Sequence, residues 1–244
     1  MIIKLTVEYD GTQYCGWQVQ PNGVTVQQRL NEAVLAVTGE VTTVTGSGRT
    51  DSGVHALGQV AHFETSSSIP PERFAAALNS ALPQDIRVVS SEAAEEGFHA
   101  RFCAKKKTYC YKMYLSGTVR PLYDRYAAQV SFPVNVLAMQ EAARAFVGEH
   151  DFSSFMASGS EVKDTVRTVY DARVTVDGEL LSFTVCGNGF LYNMVRIMAG
   201  TLVEVGGGRL TVTDVKQALD GGCRALAGKT MPARGLTLVS VEYD

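Results

Sequence analysis

The sequence predicts an α+β protein of two halves with the same element order, β-α-β-β-α-β, the ferredoxin-like arrangement. Three observations predict it. Residues 3 to 9, IKLTVEY, alternate strictly and place Ile3, Leu5, Val7 and Tyr9 on one face, as a half-buried strand requires. Beyond Thr25, the apolar residues Val26, Leu30, Ala33 and Val37 recur at helical spacing up to Gly39. Alternation of strand-like and helix-like stretches then runs through the chain twice, with the change of half near residue 104.

The first half, residues 1–104, reads as follows. After the 3–9 strand, Thr25 and Gln28 stand at capping-box spacing in front of the helix. A β-branched run, VTTVT, precedes a glycine-punctuated loop, and QVAHFET continues as a strand. Pro71 starts a helix carrying Phe74, Leu78 and Leu82, and DIRVVS closes the half as a strand.

In the second half, residues 105–244, KTYCYKMYL is a strand with Tyr109, Tyr111, Met113 and Leu115 on one face. A helix near 134–147 follows. TVRTVYDARVTV and ELLSFTVC flank the turn dipeptide Asp177-Gly178 and read as a hairpin. An apolar helix spans roughly 191–205, a further one runs from Thr211 to Gly221 with Asp214 three residues after its cap, and LTLVSVEY ends the chain as a strand. Two such sheets side by side leave a cleft between the halves. The loop 156–164, MASGSEVKD, is expected to be mobile.

Composition narrows the functional classes. The chain has 244 residues, 45 % of them hydrophobic and 19 % charged, with mean hydropathy +0.02, values of a globular protein with a sizeable core. MIIKLTVEYD lacks the basic and long apolar regions of a signal peptide, and Arg196 and Glu204 interrupt the most apolar stretch. The expectation is a cytoplasmic protein with no membrane span. Five scattered cysteines without a CxxC pair argue for reduced thiols that mostly pack.

Net charge is −3, yet from His99 to Arg125 seven basic residues (Arg101, Lys105, Lys106, Lys107, Lys112, Arg120, Arg125) face one acid, Asp124. Phe102, Tyr109, Tyr111, Tyr114, Tyr123 and Tyr126 lie among them. Phosphate neutralisation with base stacking needs such a strip; a solvated strand edge guarded by lysines has the same composition.

Two residues stand out chemically. Asp51 sits in GSGRTDSGVHALGQV, where Gly46, Gly48 and Gly53 permit tight backbone paths and close approach of a ligand. A lone loop aspartate is commonly a turn residue; a reactive one works as a nucleophile, or as a base held ionised by a cation. Arg196 lies on a helix apolar on nearly every side, which implies a buried charge in need of a partner. Glu204 is two turns away, so the partner comes from elsewhere: Asp51 is one choice, a carbonyl or phosphate at the helix end another. His55, His62, His99 and His150 lack the spacing of a metal motif, and no GxSxG elbow serves the pair His150-Asp151.

Taken in order, EYDGTQYCGWQ, GRTDSGVHALGQVAHF, FHARF, KTYCYKM, HDFSSF, GNGFLYNMVRIMAG and ARGLTLVSVEY resemble the tRNA pseudouridine synthase A family, from Glu8 to Tyr243. Ser52 stands where the family's central motif most often has Ala. The resemblance implies a pseudouridine-synthase fold, two ferredoxin-like halves in one continuous mixed sheet with a central cleft. It implies an isomerase for uridines at positions 38, 39 and 40 of the tRNA anticodon stem-loop, active as a homodimer and without metal or other cofactor. It further implies roles: Asp51 as the catalytic carboxylate, Arg196 as its ion-pair partner, and Tyr111 stacking on the uracil, with its hydroxyl able to help remove the C5 proton. Leu236 would wall the pocket and Arg49 would fill the space of the extruded nucleotide. Arg101, Lys105, Lys106 and Lys107 would contact phosphates. Two other classes fit parts of the pattern: a non-catalytic RNA-binding module, and a metal-dependent hydrolase using Asp51, His55 and His62.

Overall fold

The computed structural model of the protein describes residues 1–159 and 162–243. The chain divides into two compact units, Met1–Lys105 with Thr237–Asp244, and Lys106–Leu236.

The first unit contains β1 (Ile2–Tyr9), α1 (Val26–Thr38), β2 (Thr45–Gly46), β3 (His55–Glu64), α2 (Phe74–Ala81) and β4 (Ile86–Ala94), the expected β-α-β-β-α-β order. Strand β1 lies between β3 and β4 and pairs antiparallel with both, while β2 pairs antiparallel with β3. The alternation in β1 does what its period requires: Ile3, Leu5 and Val7 are fully buried and Tyr9 nearly so. Leu30, Phe74 and Leu78 of the two helices are fully buried as well, with Phe63 and Phe74 edge to face at 5.5 Å.

Two local expectations need correcting. The capping box at Thr25 is half formed: its side chain accepts from Gln28 N–H, but Gln28 Nε2 donates to Glu32, one turn along. The VTTVT run contributes only Thr45 to a strand, because α1 side chains take the backbone groups of Val44. Asn31 Oδ1 accepts from its N–H at 2.8 Å and Gln27 Nε2 donates to its carbonyl at 2.9 Å.

The second unit contains β5 (Lys106–Leu115), α3 (Pro121–Asp124), β6 (Ala128–Val130), α4 (Val136–Arg144), β7 (Gly148–Asp151), β8 (Val166–Asp177), β9 (Leu180–Gly187), α5 (Met194–Gly206) and α6 (Val212–Gly221). Strand order is β5-β9-β8-β7, all antiparallel, with β6 parallel to β5. The Asp177-Gly178 hairpin forms with Gly178 at φ 58°. The Thr211–Asp214 capping box is complete. The short β6, β7 and α3 were not evident from periodicity. Phe146, Phe152, Phe155 and Phe183 fill the core against α5, of which every residue but Arg196 and Glu204 is buried.

The last strand, β10 (Leu236–Glu242), groups from Thr237 onward with the first unit. Thr237 and Leu238 pair in parallel with His55 and Ala56, Lys105 N–H donates to Glu242 O, and Tyr243 Oη donates to Ala100 O. Residues 160 and 161 of the loop expected to be mobile lie outside the described residues.

Candidate active site

The loop carrying Asp51 runs from β2 to β3 and is held by bonds that leave its backbone little freedom. Buried Ser47 donates through Oγ to Gln59 Oε1 at 2.7 Å, and Gln59 Nε2 donates to Gly48 O at 3.0 Å. Thr50 Oγ1 meets Tyr9 Oη at 2.8 Å. Burial pushes the Tyr9 phenol up to about 12, so it stays protonated as part of that bond. Val54 N–H closes a turn onto Asp51 O at 3.1 Å.

The segment Asp10–Trp17 clamps the loop from the other side. Ser52 Oγ and Gly53 N–H donate to Tyr14 O, and Trp17 N–H donates to Thr50 O at 3.0 Å. Gly16 makes this approach possible: it sits at φ +83°, and a Cβ there would lie 2.6 Å from Thr50 O. On this pinned backbone Arg49 is exposed and Asp51 half-buried. The glycines noticed in the sequence were those of the loop itself; Gly16, thirty-odd residues earlier, gave no local signal.

In the second unit one segment, 228–235, organises the other candidate residues. Arg196 Nε donates to Met231 O at 2.7 Å and its Nη1 to Asn193 Oδ1 at 2.6 Å, while Met231 N–H returns a bond to Arg196 O. Gly228 N–H donates to Thr201 Oγ1 at 2.8 Å and fixes the segment against α5. Arg196 is half-buried, less than the apolar helix led one to expect. Glu204 pairs with Arg209.

Tyr111, fully buried on β5, donates its hydroxyl hydrogen to Pro232 O at 2.7 Å. Burial raises its pKa well above the ordinary phenol value, against the opposing pull of Arg196 and Arg234. A proton held this way makes the Tyr111 oxygen a poor base. Leu236 follows immediately, 7 % exposed. Gly235 lets the chain pass the tyrosine ring, since a Cβ there would stand 2.7 Å from both Tyr111 Cζ and Lys112 O. Gly235→Ala is therefore expected to lower stability by about 1–3 kcal/mol and to displace the ring, read as a lower denaturation midpoint with reduced turnover. A midpoint equal to wild type would show that the contact relaxes freely.

The basic strip divides by burial. Tyr109, Tyr111 and Tyr114 are buried in the core. Phe102 is 76 % exposed, stacked on His99 at 4.2 Å with the exposed Arg101 beside it. Lys105 is exposed, and Lys106 and Lys107 are half-buried, with Lys106 Nζ 5.8 Å from the Tyr170 ring. His55 Nδ1 and His62 Nδ1 accept N–H bonds from Gly11 and Ala100. Among the described residues no group of three or more His, Cys, Asp or Glu is placed to hold a metal ion, so the hydrolase constellation is not assembled. Among them, too, no helix is long and apolar enough to cross a membrane.

The family model described as tRNA pseudouridine synthase matches residues 5–103 and 142–244. The chain belongs to the tRNA pseudouridine synthase family. Relatives named tRNA pseudouridine synthase A match over nearly full length. That of Ruminiclostridium cellulolyticum is 49 % identical over 242 residues, covering 99 % of each chain. Those of Caldicellulosiruptor bescii and Clostridium acetobutylicum are each 47 % identical, over 241 and 242 residues, again with 99 % of both chains covered. Within the tRNA pseudouridine synthase match fall Arg49, Asp51, Arg196 and Leu236, whereas Tyr111 lies in the stretch between the two matched segments.

Proposed function

We propose that the protein isomerises uridine to pseudouridine at positions 38, 39 and 40 of the tRNA anticodon stem-loop, acting as a cytoplasmic homodimer without a cofactor. Membership of the tRNA pseudouridine synthase family supports the reaction. The observation that carries the site is Asp51, a carboxylate on a loop whose backbone is fixed from two sides. Isomerisation breaks the N1–C1′ bond, turns the uracil, joins C5 to C1′ and, in net terms, moves one proton from C5 to N1. Asp51 adds to the substrate in the step that frees the base, a role that rewards a preorganised carboxylate. Arg196 is its ion-pair partner.

The target nucleotide must leave its stack, at about a few kcal/mol, and contacts from Arg101, Lys105, Lys106 and Lys107 to phosphates offset that cost. Arg49 takes the vacated space, Leu236 walls the pocket and the Tyr111 ring supports the uracil. Since Tyr111 is fully buried, an incoming base must displace what covers it. Its bonded hydroxyl favours the stacking role over a proton-accepting one.

The test is incubation of the purified protein with unmodified tRNA, with pseudouridine mapped by position. Product at 38, 39 or 40 is expected, and its absence would reject the assignment. Binding should weaken by about 10³-fold or more between 50 and 200 mM salt if six or more phosphates are contacted. A flat response removes the basic strip from the interface.

A further inference from the structure

Helix α5 begins unlike the other capped helices. Thr25, Asn135 and Thr211 stand at N-caps in extended conformation and accept a backbone N–H through their side chains, as N-cap residues ordinarily do. Asn193 also occupies an N-cap, but at φ 60°, and among the described residues it is the one non-glycine with positive φ. It makes no capping bond. Its carboxamide oxygen instead accepts Nη1 of Arg196, the third residue of the helix, at 2.6 Å. The helix thus forgoes a cap and accepts a left-handed backbone, and what it gains is a fixed arginine. Such local strain is characteristic of functional positions.

We propose that Asn193 is a positioning residue for Arg196, a proposal that rests on Arg196 serving the reaction as described above. A guanidinium carries five N–H bonds in one rigid plane. Met231 O takes the bond on Nε and Asn193 Oδ1 takes one on Nη1, from two different edges. Two fixed directions in a plane determine the remaining three. Asn193 and Met231 therefore aim the cation's other donors before substrate arrives, and neither needs to touch substrate. Asparagine suits the task because it tolerates the left-handed region and carries an acceptor on a short side chain.

The informative variant is Asn193→Gly. Glycine adopts φ 60° at no steric cost, so the helix start is preserved while the acceptor is lost. The melting temperature is expected to stay close to that of the wild type, because relief of the left-handed backbone offsets the lost bond to Arg196. KM for unmodified tRNA should be unchanged, and kcat should fall by about 10- to 100-fold, as loss of an orienting partner does in other sites. In an Arg196→Met background, followed by single turnover with excess enzyme, Asn193→Gly should add no further loss. A wild-type kcat in Asn193→Gly overturns the proposal, as does an undiminished effect in the Arg196→Met background. So does a drop in melting temperature that accompanies the lost activity, since the residue would then serve the helix alone. Failure of the underlying reading looks different: Arg196→Met itself would retain the wild-type rate.

Discussion

Asp51→Ala is expected to fold as the wild type does, to bind tRNA with similar affinity, and to form no detectable pseudouridine. The loop keeps its shape because the bonds that pin it use Ser47, Thr50, Ser52, Gln59 and backbone groups, including the Asp51 carbonyl that an alanine retains. What disappears is the carboxylate, the group proposed to act on the substrate. Removing a nucleophile from a site that works as a unit costs more than about 10⁴-fold in rate. Binding draws instead on phosphate contacts spread over the surface, which a single loop side chain changes little. Pseudouridine formation under single-turnover conditions, with a parallel binding titration, checks both halves. Turnover near the wild-type rate would falsify the role given to Asp51.

Arg196→Met is expected to lower the rate by about 10²- to 10³-fold, the usual loss when one preorganised charged donor is removed from a reacting centre. Methionine keeps an unbranched apolar stem and a similar helix propensity, so α5 persists. The acceptors at Met231 O and Asn193 Oδ1 lose their donor, which should cost about 1–3 kcal/mol of stability. The activity loss far exceeds what that destabilisation produces while the protein stays folded at the assay temperature. Rate and denaturation midpoint measured on one preparation separate the two effects. An unaffected rate rejects the ion-pair role and leaves Arg196 a structural residue of the helix.

Much of this was legible in the sequence, for physical reasons that can be named. Period-2 alternation found β1 because one face of that strand is fully buried, and a charge in an apolar helix flagged Arg196 because such a charge must be accommodated. The glycine-rich loop around Asp51 announced itself by composition. Other parts left no trace. Met231 and Pro232 act through carbonyl oxygens, which every residue possesses. Asn193 works through a left-handed backbone that its identity permits but does not announce. Gly16 earns its place only through contact with a loop distant in sequence. VTTVT looked like a strand because propensity favours one, and it lost to the side chains of Gln27 and Asn31. The final strand read as a member of the second half by order alone; from Thr237 onward it groups with the first unit, where Thr237 and Leu238 pair with His55 and Ala56.

The two consecutive carbonyls at 231 and 232 have a consequence for how this protein can vary. One grips Arg196 and the next grips Tyr111, so adjoining peptide planes set both side chains. The grip comes from backbone carbonyls and not from the side chains at these positions, of which Met231 is itself buried in the core. The stretch is intolerant of a change in length. Inserting or deleting a single residue there would turn one peptide plane out of register with the other, and the cation and the ring would lose their alignment in the same event.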